Sequence, residues 1–130
     1  GNMSTWKSFG LFINQLNSGR SELPDAVKMK VKEITDGYTT VKEKVEALYT
    51  YLQKSTRYIG IQLGIGSWQP FDAKYVASNQ YGDCKALSNY MVSLLKVAGI
   101  KANYVLINAG EDYRELIEEF PSTSFNHAIA

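Results

Sequence analysis

The chain reads as an α+β domain, and three observations predict it. Apolar residues recur at helical spacing through the first fifty positions. After Lys54 the pattern breaks into short stretches punctuated by glycine. One further long apolar helix is then announced by Asp83 ahead of it and by Gly99 behind it, before two late strand-like runs. At 130 residues there is enough chain to bury a core without metals or disulfides.

The elements follow in order. Trp6, Phe9, Phe12, Ile13 and Leu16 share one helical face, with Ser4 or Thr5 placed to cap it and Asn17-Ser18-Gly19 ending it. A second helix starts near Pro24, whose fixed φ suits a first turn, carries Val27, Val31 and Ile34, and stops at Asp36-Gly37. Thr40-Val41-Lys42-Glu43 is a capping box opening a third helix with Val45, Leu48, Tyr49 and Leu52 inward. Its Lys and Glu residues form a solvated outer face. Tyr58 to Ile61 is a short strand, and Leu63-Gly64-Ile65-Gly66 is a loop, since no Gly-Lys-Ser/Thr follows to make a phosphate loop. Asp72 caps a short helix through Ala77, and Leu87, Met91, Leu94, Leu95 and Ala98 mark the helix that begins at Cys84. Strands are expected over 102–107 and 125–130, with a loop and a short helix at 116–119 between them. The organisation is a helical lead-in over 1–37 and a core over 38–130.

Composition excludes several classes of function. Hydrophobic residues make up 45% and charged residues 21%, so the chain is not disordered. Fourteen basic residues against thirteen acidic ones give a formal charge of +1 with no basic stripe, which argues against a nucleic-acid partner. No apolar run approaches the roughly 20 residues needed to span a bilayer. One cysteine excludes an intramolecular disulfide and a thiolate-based zinc site. No acidic cluster has calcium-loop spacing, so neither a metal nor any other cofactor is expected. No signal peptide is legible, and Gly1-Asn2 ahead of Met3 leaves the native start and compartment open.

Two residues carry reactive chemistry. Cys84 sits in Tyr81-Gly82-Asp83-Cys84-Lys85 at a helix start, and the single histidine, His127, sits in Phe125-Asn126-His127-Ala128 on the last strand. A thiolate attacks carbonyls far better than a thiol, and a helix N-terminus or an imidazolium stabilises it. Taken singly, each residue has an ordinary structural alternative: a small buried hydrophobe and a half-buried polar side chain.

Together these motifs resemble the transglutaminase-like superfamily, with its papain-like fold. The resemblance rests on Tyr81-Gly82-Asp83-Cys84-Lys85, the helix ending in Ala98-Gly99-Ile100, the following strand, and Phe125-Asn126-His127-Ala128. Arg57-Tyr58-Ile59 and Trp68-Gln69-Pro70 upstream are also similar to the bacterial branch found in larger exported proteins. The match covers about residues 40 to 130. It implies a nucleophile-bearing helix packed on a small antiparallel sheet that presents the histidine.

What the resemblance implies for chemistry is acyl transfer through a Cys-His-Asp site, ending in peptidase- or amidase-type hydrolysis or in transamidation. Cys84 is then the nucleophile and His127 its base, with a peptide or cell-envelope amide as substrate and a periplasmic or extracytoplasmic setting. The amides of Cys84 and Lys85 are natural oxyanion donors, and Trp68, Gln69, Tyr81 and Tyr58 are candidates for the oxyanion site and substrate cleft. Asp83 fits a capping role better than a catalytic one. The family's third residue, an Asp or Asn on the strand after the histidine, has no counterpart here: either the chain is cut short of its C-terminal strands, or the orienting acid comes from elsewhere, or the native protein lacks it. An open sheet edge would then favour a strand-paired or swapped dimer. The alternative is a catalytically silent module that grips a peptide or glycan through Trp68, Tyr58 and Tyr81.

Overall fold

A computed structural model describes residues 4–60, 68–110, 119 and 125–130. Their elements run α1 (Trp6–Asn17), α2 (Asp25–Asp36), α3 (Val41–Ser55), β1 (Arg57–Tyr58), α4 (Ala73–Asn79), β2 (Tyr81–Gly82), α5 (Cys84–Val97), β3 (Val105–Ile107) and β4 (His127–Ile129).

Local sequence sets the helix ends. Thr5, not Ser4, caps α1: its hydroxyl accepts from the Ser8 amide at 3.1 Å and the Ser8 hydroxyl accepts from the Thr5 amide at 3.1 Å. The same reciprocal bonding opens α3, where Thr40 accepts from the Glu43 amide at 3.2 Å and the Glu43 carboxylate accepts from the Thr40 amide at 3.1 Å. These Thr40 bonds hold the Glu43 carboxyl below its ordinary pKa. Asp72 caps α4 through the Tyr75 amide at 2.7 Å. Asp83 caps α5 through the Ala86 amide at 2.9 Å. At the far end of α5, Gly99 takes φ +76° and the Ile100 amide turns back onto the Leu95 carbonyl at 2.9 Å.

The core is built around α5. Ala86, Tyr90, Met91, Leu94 and Leu95 meet Val31 from α2, Leu48 and Leu52 from α3, Ala73 and Val76 from α4, and Leu23 from the preceding loop. This core therefore runs across residue 37. Burial, and then the neighbouring Tyr51, push the Tyr90 phenol far up, so it stays protonated at neutral pH. A polar seam joins the N-terminal segment to the same helix: the Arg20 carbonyl accepts from the Ala73 amide at 2.8 Å and from the buried Asn89 side chain at 2.9 Å, while the Arg20 guanidinium donates to the Pro70 carbonyl at 3.0 Å. Aromatic contacts hold α1, with Phe9 stacked on Phe125 at 5.9 Å and edge-on to Trp68 at 6.0 Å.

The strands form two separate pairs. β3 and β4 are antiparallel with Ile107 opposite His127, as expected of the histidine strand. β1 and β2 are parallel, Tyr58 opposite Gly82, a pairing that the sequence pattern does not announce. The expected strands over 102–107 and 125–130 narrow to 105–107 and 127–129, the stretch where each finds its partner. The upstream strand likewise settles on Arg57–Tyr58, with Ile61 outside the described residues. The Leu63–Gly66 loop lies outside them too, as does the helix expected at 116–119 apart from Glu119.

Gly82 sets how closely β2 approaches α5. A Cβ there would lie 2.7 Å from the Ala86 Cβ, a contact that no rotamer change relieves. Gly82→Ala is therefore expected to cost about 1–3 kcal/mol through overpacking. Gly37→Ala, where an added Cβ meets nothing within 4 Å, stays within about 0.5 kcal/mol. Urea unfolding of the two variants checks the contrast. A second expectation concerns acid. Because the folded Glu43 carboxyl is depressed, its stabilisation is present above the ordinary glutamate range and fades as pH falls through the lower folded value. Glu43→Gln should flatten that part of the stability–pH curve and leave the neutral-to-alkaline part in shape.

Candidate active site

The site begins at the first turn of α5. Cys84 is the first helical residue and is half-buried. Of the amides at this end, Ala86 donates to the Asp83 carboxylate and Leu87 to the Asp83 carbonyl at 2.9 Å. Those of Cys84 and Lys85 have no acceptor among the described residues. Two adjacent unpaired N–H groups beside a thiol are the donor pair that a developing oxyanion requires. The Asp83 carboxylate is fully engaged. One oxygen takes the Ala86 amide and the other takes the Lys85 ammonium, in an ion pair whose side chains are only 12% and 15% exposed. That ammonium offsets the acid whose charge would otherwise oppose a neighbouring thiolate.

One turn further along, Ser88 fixes the histidine strand. Its buried hydroxyl donates to the Ala128 carbonyl at 3.0 Å, so β4 lies against the turn of α5 that follows Cys84. Asn126 sets the entry to β4: its side-chain amide donates to the Ala109 carbonyl and accepts from the Ala109 amide, both at 2.7 Å, imitating one more backbone pair of the ladder. Its own backbone amide donates to the Ile107 carbonyl at 3.1 Å. His127 follows directly and is half-buried. Strand alternation sets it on the face shared by Val105, Ile107 and Ile129, opposite the face of Ala128. Cys84 and His127 thus stand on neighbouring elements. Among the described residues no hydrogen bond joins thiol to ring, and no carboxylate is bonded to the histidine.

The remaining candidates fall into two groups. Tyr81 is on β2, two residues before the α5 cap, with its hydroxyl bonded to that of Tyr75. That bond, and then burial, raise the Tyr75 pKa. Tyr58 pairs beside Gly82 and is 62% exposed, so these tyrosines border the approach to α5. Trp68 and Gln69 instead have their contacts on α1, with Phe9 and, at 3.4 Å, with the Leu16 carbonyl.

Sequence reasoning misses Ser88, Asn126 and Tyr104. Ser88 and Asn126 work through long-range bonds, for which no local pattern exists. Tyr104 immediately precedes β3, and its hydroxyl is buried with no hydrogen-bond partner among the described residues. Burial first, then the negative charges of Cys84 and Asp83, push its pKa far up, so it is a protonated phenol turned toward the start of α5.

Among the described residues no three His, Cys, Asp or Glu side chains gather as a metal site, and no helix is long and apolar enough to cross a membrane.

Comparison with known proteins bears on the fold and the family. No curated protein matches the chain. Among solved structures, a candidate protease from Parabacteroides distasonis superposes with a TM-score of 0.69 at 16% identity, covering 89% of this chain and 23% of that one. At that identity the likeness establishes the fold, and the chain spans less than a quarter of the neighbour's length. The family model described as the transglutaminase-like superfamily core matches residues 28–129, from α2 through the histidine strand, and the chain belongs to that superfamily.

Proposed function

We propose that the chain is a thiol acyl-transfer domain that acts on amides of peptide or cell-envelope type. The observation that carries the reading is the start of α5. Cys84 stands there with two backbone amides that have no acceptor among the described residues, and Ser88 holds the His127 strand against the next turn.

The chemistry runs in two halves. The Cys84 thiolate adds to the carbonyl carbon, and the negative oxygen of the tetrahedral adduct takes hydrogen bonds from the Cys84 and Lys85 amides. The C–N bond then breaks as His127 gives its proton to the departing amine, leaving a thioester on Cys84. In the second half His127 takes a proton from water or from a second amine, which attacks the thioester and returns the thiol. Water gives hydrolysis, and an amine gives transamidation. Asp83, held by Lys85 and by the helix cap, has no part in the proton transfers. An orienting partner for the His127 ring would raise the rate further.

One observation favours a second reading. The absence of a thiol–imidazole hydrogen bond among the described residues suits a binding module that uses the same cleft without turnover. Tyr58 and Tyr81, exposed and half-exposed beside the α5 start, would be its contact residues.

An activated ester such as an N-acyl p-nitrophenyl ester separates the two readings. The proposal expects one acyl group on Cys84 by intact mass, followed by steady release of acid. Cys84→Ala should abolish both while changing stability by no more than about 1 kcal/mol, because the thiol is half-buried at a helix end. Turnover that survives Cys84→Ala overturns the proposal. An unmodified Cys84 in a chain that still binds peptide saturably favours the module.

A further inference from the structure

Tyr104 is a buried polar group that the proposed chemistry leaves unused, and the return of the chain along α5 fixes where it stands. Gly99 reverses the chain, and the Ile100 amide is tied to the Leu95 carbonyl. From Lys101 to Leu106 burial then alternates, with Lys101, Asn103 and Val105 exposed and Ala102, Tyr104 and Leu106 half-buried. Leu106 stands opposite Ala128, which is buried and whose carbonyl accepts from Ser88, so the inward face of this segment lies against α5. Four extended steps from Ile100 span about 13 Å, as far as roughly nine helical residues travel. That distance brings Tyr104 back level with the first two turns of α5. The phenol shows the same placement: burial first, and then charge on Cys84 and on Asp83 at the helix start, act on it.

We infer that the Tyr104 hydroxyl is the hydrogen-bond donor that stabilises the Cys84 thiolate, taking Cys84 as the nucleophile of the reaction proposed above. The hydroxyl is buried and has no hydrogen-bond partner among the described residues. A buried polar group left unpaired disfavours the state that leaves it so. Of the two acids near it, Asp83 already has both oxygens engaged, one by the Ala86 amide and one by the Lys85 ammonium. Cys84 remains. A thiol is a weak acceptor and a thiolate a strong one, so ionising Cys84 supplies the partner that the phenol lacks. The proton leaves Sγ for the His127 ring, and Tyr104 keeps its own because burial and the neighbouring charges hold it protonated. Burial also keeps substrate from the hydroxyl, so it acts on the sulfur and leaves the oxyanion to the Cys84 and Lys85 amides. The other titratable side chains at this end of α5, among the described residues, are Asp83 and Lys85 in the turn itself, Tyr81 on β2 and His127 on β4.

Alkylation of Cys84 by iodoacetamide across pH tests it, in the parent chain, Tyr104→Phe and Tyr90→Phe. Tyr104→Phe keeps the ring and removes the donor. Its rate should fall about tenfold at about pH 6.5 and come within about twofold of the parent at about pH 9.5, where the sulfur ionises without help. A loss of packing or access alone would lower both rates alike. Tyr90→Phe removes another buried phenol, one that faces Tyr51, and should leave the profile unchanged. Because the Tyr104 hydroxyl has no partner to lose, its removal should leave the melting transition intact. Equal profiles for the parent and Tyr104→Phe overturn the inference, as does a matching fall in Tyr90→Phe. Ester turnover by the parent reports separately on acyl transfer. A pH-dependent fall in Tyr104→Phe without parent turnover retains the donor and sinks the acyl-transfer reading, and turnover with an unshifted profile does the reverse.

Discussion

A buried hydroxyl in a packed interior has to find an acceptor, and Ser88 finds the Ala128 carbonyl of the histidine strand. Much of the site's arrangement follows from that bond. Ser88 lies one turn after Cys84 on α5, so the strand that accepts from it is carried to the same end of the helix as the thiol. A slip of β4 by one residue would leave the Ser88 hydroxyl or the Ala128 carbonyl unpaired, and would also break the Asn126 bracket on Ala109. The bond therefore fixes register as well as contact. Helix α5 can serve as this anchor because it is itself fixed by burial, with Ala86, Tyr90 and Leu94 packed against three other helices.

Electrostatics around the thiol follow from the same turn. A carboxylate immediately before a nucleophilic cysteine would normally work against it. Here Asp83 is taken up by the Ala86 amide and the Lys85 ammonium, so the residue that shapes the helix start contributes little free negative charge beside Cys84. Gly82 completes the arrangement from the other side. With no Cβ, it lets β2 come within contact of Ala86, so that chain direction and cap geometry are set before Cys84 is reached. Each residue from Gly82 to Lys85 thus has its own physical role. Gly82 permits close approach, Asp83 caps the helix, Cys84 is the nucleophile of the proposed reaction and Lys85 balances charge.

Features whose physics is local are legible in the sequence. Thr40 and Glu43 bond to one another three residues apart, and Asp83 needs only Ala86, so the starts of α3 and α5 can be read directly. Gly99 announces the end of α5 because only a residue at ease with positive φ closes that turn. Partnerships between distant segments are not legible. The parallel pairing of Tyr58 with Gly82 and the Asn89 bond to Arg20, 69 residues away, depend on the assembled core. Composition overstates strand length for the same reason. The run 102–107 reads as one strand, but only Val105 to Ile107 meet β4. Cys84 and His127 are legible as residue types in family order, whereas Ser88, which brings their elements together, looks like any polar residue on a helix.

If Ser88 and His127 together make Cys84 reactive, the thiol should show it directly. The decisive quantity is the second-order rate of Cys84 alkylation with iodoacetamide at about pH 6.5, where an unassisted thiol reacts slowly. The parent chain, His127→Ala and Ser88→Ala are compared, each checked for an intact melting transition. Fast alkylation is expected in the parent, with a fall of about tenfold or more in both variants, one losing the imidazole and the other its placement. Equal rates in all three would refute the joint role and would make Cys84 a structural residue at a helix start.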